Sequence, residues 1–254
     1  MLVNPIIDKF QQLRLHAMAK AFKEQLESPG ITHLSFEERL GLLVDIEVTT
    51  RENRRLETRL KSAKLQQSAC LEDIDYYASR NLDRSLLATL SQSQWVAAHQ
   101  NILIVGPCGT GKTFLACALA HKACLQGHTV RYHRIGRLLS ELQLNKGDGQ
   151  YGKRMGELAK TDVLILDDFG LSTLSDEYRR DLLEILDDRH NQLSTIVTSQ
   201  LPVKLWHETI GNETLADAIL DRLIHNSYRL EMKGESLRKT RGLLGKEDEK
   251  KDTA

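Results

Sequence analysis

NILIVGPCGTGKT, residues 101–113, is a short apolar run that ends in a glycine-rich turn, a lysine and a threonine. Ile102 to Val105 reads as a buried strand, and the apolar spacing from Lys112 to Gln126 reads as a helix. Between them GPCGTGKT, 106–113, fits G-x-x-x-x-G-K-[ST] in the strand–loop–helix setting that gives the pattern physical meaning. Gly106, Gly109 and Gly111 let the backbone bend so that successive N–H groups face one anion, towards which the following helix also points its positive end. Pro107, Cys108 and Thr110 complete the loop, with Cys108 read as a tolerated small residue and not as a nucleophile. Lys112 is expected to reach the β- and γ-phosphates of ATP, and the Thr113 hydroxyl to ligate magnesium.

A second stretch, VLILDDFG at 163–170, places two carboxylates at the C-terminal end of a buried strand, the edge where open α/β sheets bind ligands. Asp167 is expected to hold the magnesium shell and Asp168 to orient or deprotonate the attacking water. Further strands are expected at 129–133, 162–166, 195–198 and 228–232, separated by helix-length segments. Apolar strands alternating with helices imply an α/β fold with a parallel five-stranded sheet covered on both faces. The string also contains a GTPase-like set, with D-x-x-G in DDFG and N-K-x-D in Asn145-Lys146-Gly147-Asp148. The latter precedes the acidic strand instead of following it, so it reads as a surface turn.

Upstream the apolar residues repeat every three to four positions from Pro5 to Glu27, which predicts one helix ended by Ser28-Pro29-Gly30. Ser35, three residues before Glu38, is a capping box opening a second helix towards Lys64. The stretch 66–100 reads as helical and connective, with Trp95 packing under the sheet. The expected organisation is a helical domain over 1–66, a nucleotide-binding domain over 67–233 and a charged, disordered tail over 234–254.

Lysines plus arginines equal aspartates plus glutamates at 35 each, so bulk charge points to no polyanion and any nucleic-acid contact must be local. Arg51, Arg54, Arg55, Arg59, Lys61 and Lys64 stand against Glu52 and Glu57 on the second helix, a cationic stripe suited to the phosphates of double-stranded DNA with little sequence preference. The competing reading is the solvated face of a packing helix. Lys146, Lys153 and Arg154 make a second patch between the second and third strands. Four cysteines without paired spacing, and an N-terminus without an unbroken apolar core, point to a cytoplasmic protein with reduced thiols and no membrane contact.

GPCGTGKT, LILDDFG, Thr198-Ser199-Gln200-Leu201-Pro202 and Asp221-Arg222-Leu223, with LSFEERLGLLVDIE and ACLEDIDY upstream, resemble the IstB-type transposition helper ATPases of bacterial insertion sequences, relatives of DnaC-type helicase loaders. The resemblance spans nearly the whole chain. It implies an AAA+ domain, ATP-dependent homo-oligomerisation on DNA and partnership with the transposase of the same element. It further implies a sensor at Ser199 or Gln200 and an arginine finger at Arg222, against which stands a plain surface ion pair with Asp217 or Asp221. The lid is expected to be reduced or absent, with Arg238 a weak lid candidate. A replicative helicase loader is the alternative within this fold, and a small-molecule P-loop kinase the alternative outside it.

Overall fold

The computed structural model describes residues 3–74, 81–234 and 236. They form two compact units, Met1–Thr58 and Arg59–Ala254, which divide within one long helix. In the first unit α1 (Val3–Gln12) and α2 (His16–Glu27) stand where a single helix is expected from the apolar spacing. The break falls at Arg14, whose φ is +58°, while the Leu15 amide reaches back to Phe10 O at 2.8 Å. It lets Phe10 and Phe22 meet edge to face at 5.8 Å over Met18, Ala21 and Leu43.

The capping box is present at the start of α3 (Phe36–Ala63): Ser35 N–H donates to Glu38 Oε2 at 2.8 Å, and Glu38 N–H to Ser35 Oγ at 3.2 Å. Among the described residues between 66 and 100 the α-helices are α4 (Arg84–Ser91) and the single turn α5 (Gln94–Ala97). Trp95 is buried, its indole N–H donating to Leu90 O at 3.1 Å, and its own carbonyl accepts from Ser194 Oγ.

From there strand and helix alternate: β1 (Asn101–Val105), α6 (Lys112–Leu125), β2 (Val130–Arg134), α7 (Ile135–Gly147), α8 (Tyr151–Leu158), β3 (Val163–Phe169), α9 (Asp176–Arg189), β4 (Ser194–Ser199), α10 (Trp206–Ile210), α11 (Glu213–Ile224) and β5 (Ser227–Glu231). The sheet order is β2-β3-β4-β1-β5, and every pairing is parallel. Alternate strand residues serve opposite faces. Leu103, Val105, Leu164, Leu166 and Val197 join α7, α9, α10 and α11 in one core, while α6 covers the other face. β1 lies between β4 and β5, so its C-terminal end delivers the phosphate loop beside the end of the central strand β4.

The opposite edge is tied by polar side chains. Buried Asn101 donates to the carbonyls of Arg222 and Leu223 and accepts the Thr195 amide at 2.9 Å. Buried Arg189 donates to the carbonyls of Leu158, Thr161 and Ser194, and burial pulls its pKa down to about 9. These contacts give hydrogen-bond partners to carbonyls at the ends of α8 and α11 and at the start of β4.

Candidate nucleotide site

Gly106 leaves β1 with φ +154°, and a Cβ there would lie 2.4 Å from Met232 O just past β5, so the first loop position admits only glycine. A Cβ on Gly109 would lie 2.0 Å from Ser236 Oγ, so the chain beyond β5 returns to the loop. Arg238 and residues 237–254 lie outside the described residues. Gly111 (φ +97°) opens α6, and Lys112 Nζ donates to Pro107 O at 2.8 Å, keeping the ammonium on the loop. Cys108 is exposed and Thr110 is buried, its hydroxyl donating to Pro107 O.

Facing the loop is a hub of hydroxyls on one buried carboxylate. Thr113 Oγ1 lies 3.1 and 3.2 Å from the two Asp167 oxygens; Thr198 Oγ1 donates to Asp167 Oδ1, and Tyr132 OH to Oδ2 at 2.5 Å. The parallel register brings these together, because β2 and β4 flank β3 and end level with it. Burial and the Asp167 carboxylate raise the Tyr132 pKa well above the ordinary phenol range, so its hydroxyl stays a donor. A hydroxyl beside a carboxylate is a hard-oxygen donor set, which suits magnesium.

β3 is irregular between Leu166 and Phe169, and Asp168 takes φ +65°, a conformation that costs a non-glycine residue roughly 1–3 kcal/mol. The bulge holds because Asp168 N–H donates to Thr198 Oγ1 at 3.1 Å. It sets the Asp168 carboxylate beside Arg134 at the end of β2, with Nε to Oδ2 at 3.8 Å. Tyr132 and Arg134 escape a reading of local motifs, their only signal being position at the end of a strand that flanks the acidic one; Thr198 lies in the Thr198–Pro202 segment, which gives it no role of its own.

The expected sensor positions differ from one another. Ser199 is fully buried, its Oγ donating to Phe169 O at 2.7 Å and accepting the Leu201 amide, whereas Gln200 follows β4 and is half-buried. Arg222 forms an ion pair with Asp187 of α9, not with Asp217 or Asp221, and donates to Ala218 O at 2.8 Å. It sits at the edge of the sheet where β1 begins, while the phosphate loop leaves the other end of β1. A five-residue strand at about 3.3 Å per residue separates the two by roughly 15 Å.

Of the cationic stripe, Arg51 is committed within the first unit to Glu47 at 2.7 Å and to Arg14 O, and Arg54 and Arg55 are exposed. In the second unit the half-buried Arg59 lies against Gly127, past the C-terminal end of α6, while Lys61 and Lys64 are exposed. In the other patch Lys146 is bound to buried Asp181 at 2.6 Å and Arg154 to Glu157 at 2.8 Å, and Lys153 is exposed. Asn145 to Gly147 form the last turn of α7, with Asp148 its cap, so the N-K-x-D string has no part in the site.

The family model described as IstB-like ATP binding protein matches residues 8–244. The chain belongs to this family. An insertion sequence ATP-binding protein of Sinorhizobium fredii is 50% identical over 239 residues, covering 94% of this chain and 98% of its own. The IS1162 ATP-binding protein of Pseudomonas fluorescens is 50% identical over 203 residues, covering 80% and 88%. Among solved structures, that of DnaI is similar with a TM-score of 0.57 at 23% identity over 65% of this chain and 91% of its own, a likeness of fold. The parallel five-stranded fold and the insertion-sequence family of ATP-binding proteins are therefore those to which the IstB-like residues point. No helix among the described residues is long and apolar enough to cross a membrane, and they contain no disulfide.

Proposed function

We propose that this IstB-like protein is a magnesium-dependent ATPase that assembles on double-stranded DNA, with ATP bound between subunits, and recruits or stimulates the transposase of its element. The observation that carries the reading is the contact of Thr113 Oγ1 with both Asp167 oxygens at the mouth of the glycine loop. Loop amides and Lys112 would hold the triphosphate, and Thr113 and Asp167 the metal. Magnesium held there would supply neutralising charge to the triphosphate.

Asp168 accepts a proton from the water whose oxygen bonds to the γ-phosphorus, while the β–γ bridging oxygen leaves with ADP. Gln200 or Ser199 monitors the γ-phosphate from the end of β4. Arg222, a strand's length from its own loop, acts in trans on the ATP of a neighbouring copy, and this makes assembly and hydrolysis interdependent. The exposed Arg54, Arg55, Lys61, Lys64 and Lys153 support contact with DNA phosphates without base reading. The insertion-sequence family supports a transposase as partner in preference to a replicative helicase.

The test measures ATP turnover, DNA binding and assembly size for the wild type and Asp168→Asn. The wild type should assemble on DNA with ATP and magnesium and disperse as ATP is consumed, and the variant should bind ATP and stay assembled. Unchanged hydrolysis in Asp168→Asn, or assembly indifferent to nucleotide, contradicts the reading.

A further inference from the structure

α9 and α11 pack side by side, with Leu182, Ile185 and Leu186 of the one and Ala216, Ile219 and Leu223 of the other in the same core. Asp187 follows buried Leu186 in the chain, and Arg222 precedes buried Leu223. The packing that buries the two leucines thus sets Asp187 and Arg222 together at the lip of the contact, where Arg222 Nε donates to Asp187 Oδ1. Arg222 Nη1 donates one turn back, to Ala218 O at 2.8 Å. Asp217, on the same helix, faces His207 instead, at 3.3 Å.

A second arginine close by in the chain shows what is particular to this pair. Arg189, two residues beyond Asp187, is buried and commits its guanidinium to the carbonyls of Leu158, Thr161 and Ser194. Moving it would orphan those carbonyls in the core, so Arg189 is fixed. Arg222 is held by a carboxylate at the surface, the two side chains being 28% and 46% exposed. Water can take the place of either partner there, so the pair opens at little cost. The backbone of Arg222 is pinned, because Asn101 Nδ2 donates to the carbonyls of Arg222 at 2.9 Å and Leu223 at 3.3 Å. The part free to swing is the guanidinium, and the anion whose geometry suits its fork as well as a carboxylate does is a phosphate.

We propose that Asp187 is a latch on Arg222. In a lone subunit the guanidinium rests on its own surface, and the γ-phosphate of a neighbour must displace Asp187 before the shared site is complete. This rests on the reading in which Arg222 acts on the ATP of a neighbouring copy, and it adds the group that restrains the arginine beforehand. Asp187 itself touches no nucleotide. It sets the subunit concentration at which hydrolysis begins, and not the rate of a completed site.

The experiment follows ATP turnover per subunit and light scattering of the full chain across a protein dilution series, with ATP, magnesium and duplex DNA in excess. Asp187 is exposed and asparagine keeps its shape, so Asp187→Asn leaves the packing of α9 on α11 intact. It should reach half-maximal turnover at about 2–5-fold lower protein concentration than the wild type and climb to the same plateau, as loss of one exposed ion pair allows. Asp187→Glu keeps the charge and should follow the wild-type curve. In an Arg222→Ala background Asp187→Asn should leave the assembly midpoint where Arg222→Ala alone puts it, because the latch then holds nothing. An Asp187→Asn curve that overlays the wild type, a lowered plateau, or an equal shift in both backgrounds overturns the latch and leaves the function proposed above standing. If wild-type turnover per subunit is indifferent to protein concentration, or Arg222→Ala turns over as the wild type does, the shared site falls and the latch with it.

Discussion

Thr198 Oγ1 accepts the Asp168 amide at 3.1 Å while donating to Asp167 Oδ1, so a single β4 hydroxyl fixes both members of the acidic pair. It sustains the left-handed turn at Asp168, a conformation that alone would cost the chain energy. Thr198→Val keeps the volume and removes both bonds. Turnover should fall about 10–100-fold, the equivalent of the 1.5–3 kcal/mol of a hydrogen bond to a charged group, and Thr198→Ser should restore it. Wild-type turnover in the valine variant would show that the bulge holds without the hydroxyl.

Tyr132 donates the third hydroxyl to Asp167 from the neighbouring strand. Tyr132→Phe should leave the carboxylate less well oriented and raise the magnesium concentration needed for half-maximal nucleotide binding by about 10–100-fold. A magnesium titration of fluorescent-nucleotide binding reads this directly. An unshifted midpoint would reduce Tyr132 to a packing residue.

Much of the candidate site is legible in the sequence because its signals are local. A glycine loop needs its residues at fixed spacing between one strand and one helix, and four apolar residues running into Asp167-Asp168 mark a strand end. Tyr132, Arg134 and Thr198 were not legible in the same way. Their roles depend on which strands neighbour β3 and on the register Arg134↔Asp167 and Leu166↔Val197, relations between segments about 30 residues apart or more. The helix break at Arg14 was also silent, since no glycine or proline marks it and tertiary packing of Phe10 on Phe22 overrides the apolar period. At the cationic stripe, residue type is visible in sequence, but the commitment of Arg51 to Glu47 is visible only in the fold.

Arg222 donates to Asp187 within its own subunit and stands at the sheet edge remote from its own loop. Replacing it with alanine should reduce turnover roughly a thousandfold or more if it completes a neighbour's site. Mixing Arg222→Ala with Asp168→Asn subunits should restore part of that activity at hybrid interfaces. Absence of rescue would assign Arg222 to the Asp187 ion pair alone.

His133 is held neutral by burial and Arg154, its pKa lowered to about 4. The unfolded chain, with an ordinary histidine near 6.5, therefore binds the proton more readily, so stability should rise with pH between about 4 and 6.5 and be lost on acidification through that window. The contribution is up to about 3 kcal/mol. Denaturant midpoints across this range should flatten in His133→Gln, and an unchanged pH profile would mean that His133 is protonated as easily folded as unfolded.

In the proposed function the glycine loop and the Thr113–Asp167 pair together make one binding site for a magnesium-bound triphosphate. Equilibrium titration with a fluorescent ATP analogue, with magnesium present or chelated, tests this most directly. The wild type should bind tightly and weaken when the metal is removed. Lys112→Ala should lose about 100-fold or more in affinity, and Thr113→Ala should become insensitive to magnesium. If Lys112→Ala binds as the wild type does, and chelation changes neither, the loop is not a nucleotide site.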